Sequence, residues 1–89
     1  TRMVRFELRD ADNRAALDRA QGLAGRLQAA IHQSGDRTLA LSGPFPPYFA
    51  RRGGYYRWQI ILKGSQPGKI LRNLDLTNVM VEVDPPSLL

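Results

Sequence analysis

The apolar residues of this chain follow two different periods, and the order of those periods constrains the fold more than any other feature. From Val4 to Leu8 apolar and charged residues alternate, which is typical of a β-strand with one buried face. From Ala16 to Ile31 apolar residues recur every three or four positions and form one stripe along a helix. We expect Asp10 to cap this helix and Gly35 to end it.

The second half of the chain returns to the alternating period. A short strand is predicted from Thr38 to Ser42, and the prolines of residues 43–47 end it because proline cannot donate a hydrogen bond to a sheet. The strongest strand runs from Tyr56 to Lys63. A short helix from Pro67 to Leu74 and a last strand from Val79 to Val83 follow.

The resulting order, βαββαβ, is that of the split βαβ or ferredoxin-like arrangement. It predicts an α+β fold in which two helices cover one face of a four-stranded antiparallel sheet, with the first and third strands in the centre. A chain of 89 residues has room for one hydrophobic core, so residues 1–89 are expected to form a single domain. Its apolar runs are far shorter than a membrane span, and we expect a soluble cytoplasmic protein without membrane contact.

Four residues carry more detailed packing predictions. Gly22 and Gly25 lie inside the first helix, where we expect them to allow close approach to the sheet. Tyr56 and Trp58 share the register of the apolar residues in their strand, so both are predicted to lie in the core.

Few residues could perform catalysis. The chain has no cysteine and one histidine, which excludes disulfides and thiolate zinc sites, and His32 is expected at the exposed end of the first helix. No phosphate-binding loop of the form G-x-x-x-x-G-K-[ST] is present. Asp10 and Asp12, like Glu82 and Asp84, are explained by capping and turn roles. We therefore expect no enzyme activity and no cofactor in this chain.

The positive charge is concentrated in one interval. The net charge is +5, and the interval from Arg37 to Arg72 contains seven basic residues and no Asp or Glu. The flanking segments together carry six basic and eight acidic residues. Such an interval, interleaved with aromatic residues, favours nucleic-acid binding over a merely solvated surface.

The contact is predicted in the loop between the second and third strands. The sheet face without helices would present Arg5, Glu7 and Arg9 beside Arg57, Gln59 and Lys63, and it lacks the aromatics on which sheet proteins stack bases. The loop and its borders hold Phe45, Tyr48, Phe49 and Tyr55. The candidate nucleic-acid-binding residues are Arg51, Arg52, Tyr55, Arg57, Lys63, Lys69 and Arg72.

The second half of the chain also resembles a known family. The similar residues, in order, are Gly43-Pro44, Arg51, Gly54, Tyr56-Arg57-Trp58-Gln59, Ile61-Leu62-Lys63, Val83-Asp84-Pro85 and Ser87-Leu88-Leu89. Together they resemble the C-terminal domain of the primosomal protein N′ (PriA) family of bacterial replication-restart DNA helicases. The resemblance implies an accessory domain with the fold of a small-subunit ribosomal protein, which grips forked or single-stranded DNA. It also implies that an ATP-dependent motor and a zinc-binding segment lie upstream, in other domains of the same protein.

Two other functions remain open at this point. The basic loop and its aromatics could instead dock an acidic peptide, such as the tail of single-stranded-DNA-binding protein that the resemblance suggests as a partner. An RNA-binding module of ribosomal type would have the same fold and charge.

Overall fold

A computed structural model of the chain describes residues 2–46, 54–72 and 74–84. In chain order they form β1 (Arg2–Asp10), α1 (Asn13–Ser34), β2 (Ala40–Phe45), β3 (Tyr56–Gly64), a 3-10 helix (Pro67–Leu71) and β4 (Val79–Val83). Neighbouring strands are antiparallel and lie in the order β2-β3-β1-β4, with β1 and β3 in the centre. The predicted α+β fold with split βαβ strand order is confirmed.

The second helix is shorter than predicted. Instead of an α-helix reaching Leu74, the structure has a 3-10 helix that ends at Leu71. Gly68 costs a helix about 1 kcal/mol relative to alanine, and so short a segment does not recover the cost of helix nucleation. In the described part of the chain, the helical face of the sheet therefore carries one α-helix and one short 3-10 helix. Neither helix in the described part is long and apolar enough to cross a bilayer.

Two arginines of α1 donate hydrogen bonds to the segment that leads into β4. The guanidinium of Arg19 donates to the backbone carbonyls of Arg9 and Asn78, each at 2.9 Å, and that of Arg26 donates to the carbonyl of Asp75 at 3.1 Å. These bonds give hydrogen-bond donors to backbone oxygens at the end of β1 and in the segment between the 3-10 helix and β4. They tie the start of β4 to α1 and to the end of β1.

Asp12, two residues later than predicted, caps α1. Its carboxylate accepts a hydrogen bond from the backbone N–H of Arg14 at 3.0 Å, and its own extended backbone precedes the helix. Asp10 instead accepts from the N–H of Asp12 at 3.0 Å and stabilises the turn before the cap. The predicted end at Gly35 is confirmed by its left-handed backbone, with φ 70°.

The hydrophobic core lies between α1 and the sheet. Its fully buried members are Val4, Phe6, Leu8, Ala20, Leu23, Leu27, Ile60 and Leu62. Trp58 packs against this cluster as predicted, and its indole N–H donates to the side-chain oxygen of Asn13 at 3.0 Å. Tyr56, the first residue of β3, is half-buried, so the prediction that it is a core residue is not confirmed. His32 is exposed in the last turn of α1, as predicted.

The two glycines inside α1 do not pack against the sheet. Gly22 and Gly25 are both exposed, and a Cβ added to either would meet no atom within 4 Å. The prediction that they permit close packing is wrong, because the stripe that faces the sheet consists of alanine and leucine. The glycines lower helix stability without a packing role in the described structure.

The second strand extends through part of the proline-rich segment. The prediction ended it at Ser42, whereas β2 continues to Phe45 and includes Pro44. Because β2 is an edge strand, Pro44 is tolerated, and the pairing with β3 is irregular between Ser42 and Phe45. Gly43 has φ 109°, and a Cβ there would lie 2.8 Å from the backbone oxygen of Gln59. The irregular step returns Phe45 to the sheet opposite Gln59.

Candidate nucleic-acid interface

The face of the sheet opposite α1, here called the open face, is polar as predicted. The β1–β3 register pairs Arg9 with Arg57, Glu7 with Gln59, Arg5 with Ile61 and Met3 with Lys63. Directly opposed residues of antiparallel strands point to the same face, and the alternate pairs contain the buried core residues. The predicted set of six polar residues therefore shares the open face.

Carboxylates neutralise the middle of the open face. A guanidinium nitrogen of Arg5 lies 2.5 Å from a carboxylate oxygen of Glu82 on β4 and another lies 3.9 Å from Glu7. Glu7 is only 8% exposed because the neighbouring side chains cover it. Buried charges need partners, so Arg5 has a structural role here.

Arg9 and Arg57 form a like-charged pair at one end of the open face. They are directly opposite each other on the central strands, where like charges are destabilising. Within residues 2–46, 54–72 and 74–84, no carboxylate lies within ion-pair distance of either guanidinium. The Nε of Arg57 is buried and has no hydrogen-bond partner there. The pair can offer both guanidinium groups to an anion.

Exposed aromatic and thioether side chains flank this arginine pair. Phe45 is 46% exposed and lies opposite Gln59, one step along the open face from Arg57. Tyr55 is 48% exposed and lines a groove together with Arg9 and Met80 of β4. We call these five residues, Phe45, Tyr55, Arg57, Arg9 and Met80, the basic-aromatic patch.

The patch corrects the prediction that the open face lacks aromatics. Phe45 belongs to β2 and lies on the open face, because the strand resumes after the irregular step at Gly43. Tyr55 comes directly before β3 and is placed beside the end of β1. Tyr48 and Phe49, the other predicted aromatics, lie outside the described residues. Exposed aromatic side chains thus lie on and beside the sheet, in addition to those predicted in the loop.

The predicted contact residues do not form a single cluster. Tyr55 and Arg57 lie in the patch, whereas Lys63 lies on the same face about 20 Å away, six residues along β3. Lys69 and Arg72 line a separate groove of about 340 Å³ with Arg2. Arg51 and Arg52 lie outside the described residues.

The seven predicted contact residues do not include three residues of the patch, Arg9, Phe45 and Met80, although Phe45 is predicted among the aromatics of the loop. The alternation of residues 4–8 already places Arg9 on the polar side of the first strand. Its pairing with Arg57 depends on the register between β1 and β3, and a slip by one residue would place the two on opposite faces. The sequence alone does not determine that register.

The carboxylates near the ends of β1 and β4 have structural partners. Asp84 accepts from the backbone N–H of Met3 at 3.0 Å and from Nε of Arg2 at 3.2 Å. The bond from Met3, with the nearby charge of Arg2, lowers the pKa of Asp84 below its ordinary value. In the described part of the chain, no three His, Cys, Asp or Glu side chains are grouped so that they could hold a metal ion.

Comparison with known proteins yields no relative: no family model matches the chain, and no curated protein matches it significantly.

Proposed function

We propose that this chain is an accessory DNA-binding domain that holds single-stranded or forked DNA on the open face of its sheet. The observation that carries the proposal is the opposed pair of Arg9 and Arg57, which has no neutralising carboxylate among the described residues. A phosphate group between the two guanidinium groups would replace their repulsion by two charge-assisted contacts. The stability lost in the free protein is recovered when the polyanion binds.

The neighbouring side chains favour a nucleic acid over another polyanion. Proteins that bind single strands combine a basic track along the backbone with aromatic rings on which bases stack. Phe45 and Tyr55 supply exposed rings next to the arginine pair. The four-stranded sheet has the order β2-β3-β1-β4, and RNA-binding modules with a four-stranded sheet stack bases on the exposed sheet face.

The family resemblance is the basis for a proposal about the larger protein that contains this domain. We propose that the domain belongs to a bacterial replication-restart helicase whose ATP-dependent motor and zinc-binding segment are encoded upstream. In such a helicase, this domain would bind DNA and the upstream motor would carry out the ATP-dependent step. Helicase motifs and a cysteine-rich insertion in the parent gene would support this assignment, and a parent gene without them would contradict it.

Salt dependence tests the proposed binding. Fluorescence anisotropy of a labelled oligothymidine strand should show binding whose log K falls with log salt with a slope of about −1.4, if two phosphates are neutralised. The same titration with an oligouridine strand tests the RNA alternative, since only RNA carries the 2′-hydroxyl. Binding that is absent, or that does not change with salt, would contradict the proposal.

An acidic peptide is the matched competitor in this experiment. A peptide-docking module would bind a labelled acidic peptide with an apolar end and would not bind the DNA strand. We expect the DNA strand to bind more tightly than the acidic peptide. The patch presents a pair of like charges between two separate aromatic rings, and it does not form one apolar pocket for the end of a peptide.

A further inference from the structure

A groove lies at the β4 side of the basic-aromatic patch. It measures about 420 Å³ and is lined by Arg9, Arg19, Tyr55, Asn78, Val79 and Met80. This volume is at the lower end of the range for small-ligand sites. It lies where β1 ends and β4 begins, beside the arginine pair.

Arg19 links the two sides of this groove by hydrogen bonds. Its two terminal nitrogens donate to the carbonyls of Arg9 and Asn78, and Asp10 lies 3.9 Å from the same guanidinium. Asn78 is held in a left-handed turn with φ 61°. Arg19 is thus occupied with backbone and carboxylate partners, and Arg9 is the cation that remains for a ligand.

The lining residues match the parts of an unpaired nucleotide. Tyr55 offers an aromatic ring and Met80 a polarisable thioether, both about half exposed, for the two sides of a flat base. Asn78 carries an amide that can both donate to and accept from a base edge. Arg9 can contact the phosphate on the side that faces Arg57.

We propose that this groove binds one unpaired base of the DNA strand, so that the domain distinguishes single-stranded from duplex DNA. The inference rests on the proposed function and adds the class of DNA that is preferred. A base inside a duplex is stacked and paired, and it must leave the stack before a side chain can cover its face. Arg9 and Arg57 would contact phosphates of either form, whereas the groove would accept only the unpaired form.

The test compares Tyr55→Leu with Tyr55→Phe on two probes. Affinities of the 89-residue chain for a labelled oligothymidine strand and for a labelled duplex would be measured by anisotropy at one salt concentration. We expect Tyr55→Leu to weaken single-strand binding by about five- to a hundredfold, the range for one stacked base. Tyr55→Phe keeps the ring and should bind like the wild type, and duplex affinity should be the same for all three proteins.

A strand with abasic sites provides a second measurement that does not depend on a variant. It keeps the phosphates but has no bases to stack on Tyr55 or Phe45, so the wild type should bind it at least as weakly as Tyr55→Leu binds the intact strand. Equal affinity of the wild type for intact and abasic strands would overturn the inference. It would also be overturned if Tyr55→Leu lost the same affinity for the duplex as for the single strand. If the wild type binds neither single strand nor duplex, the proposed function itself fails.

Discussion

Replacing Arg9 and Arg57 together by glutamine should weaken binding of single-stranded DNA by at least about tenfold, because two charge-assisted contacts to phosphate are lost. The slope of log K against log salt should become about 1.4 less steep, since the single-strand slope is about 0.7 per neutralised phosphate. Glutamine keeps a long polar side chain and removes only the charge. Anisotropy titrations at several salt concentrations measure both effects.

The same double variant should fold at least as well as the wild type. Arg9 and Arg57 repel each other across the central strands, and no described carboxylate pairs with either one. Thermal unfolding should therefore give an equal or higher Tm. Arg37→Gln is the matched control, because Arg37 is an exposed member of the basic interval that lies outside the sheet. Arg37→Gln removes one charge and the double variant removes two, so an equal loss of binding free energy per removed charge in both proteins would show that only the net charge matters.

Replacing Gly22 and Gly25 together by alanine should stabilise the domain by about 1 to 2 kcal/mol. Both positions are helical and exposed, and the added methyl groups meet no neighbouring atom within 4 Å. For a domain of this size, each kcal/mol corresponds to a rise in Tm of about 4–8 °C. Calorimetry or thermal circular dichroism would measure the shift, and DNA affinity should not change because these residues are remote from the open face.

Gly35→Ala is the control for the glycine prediction. Gly35 also has free space around it, but its φ of 70° is unfavourable for a residue with a Cβ. This variant should lower the Tm while the helix-interior variants raise it. If Gly35→Ala shifts the Tm in the same direction as the helix-interior variants, the prediction that backbone conformation decides the sign of the effect would be wrong.

The regular elements could be predicted because their patterns are local. Alternation at Val4–Leu8 and at Tyr56–Lys63 is sufficient to separate the core face from the open face, and the apolar stripe of α1 identifies its buried side. The sequence alone does not decide which residue caps α1, since Asp10 and Asp12 both have a carboxylate that could accept the capping hydrogen bond. Only the backbone turn, in which Asp10 supports Asp12, decides between them.

The site depends on long-range features that no local pattern contains. Phe45 reaches the open face because β2 is an edge strand and resumes after an irregular step, whereas three nearby prolines suggest a loop. The opposition of Arg9 and Arg57 follows from the register of strands almost fifty residues apart. Arg57 and Tyr55 could nevertheless be named as candidates from the sequence, because charge and aromatic content are visible without a register.

The most direct test of the proposed site is an amide chemical-shift map of the domain during titration with a single-stranded oligonucleotide. We expect the largest shifts at Arg9, Tyr55, Arg57 and Met80, and no response on the exposed side of α1 around Gly25. Shifts confined to α1, or to the groove of Lys69 and Arg72, would contradict it.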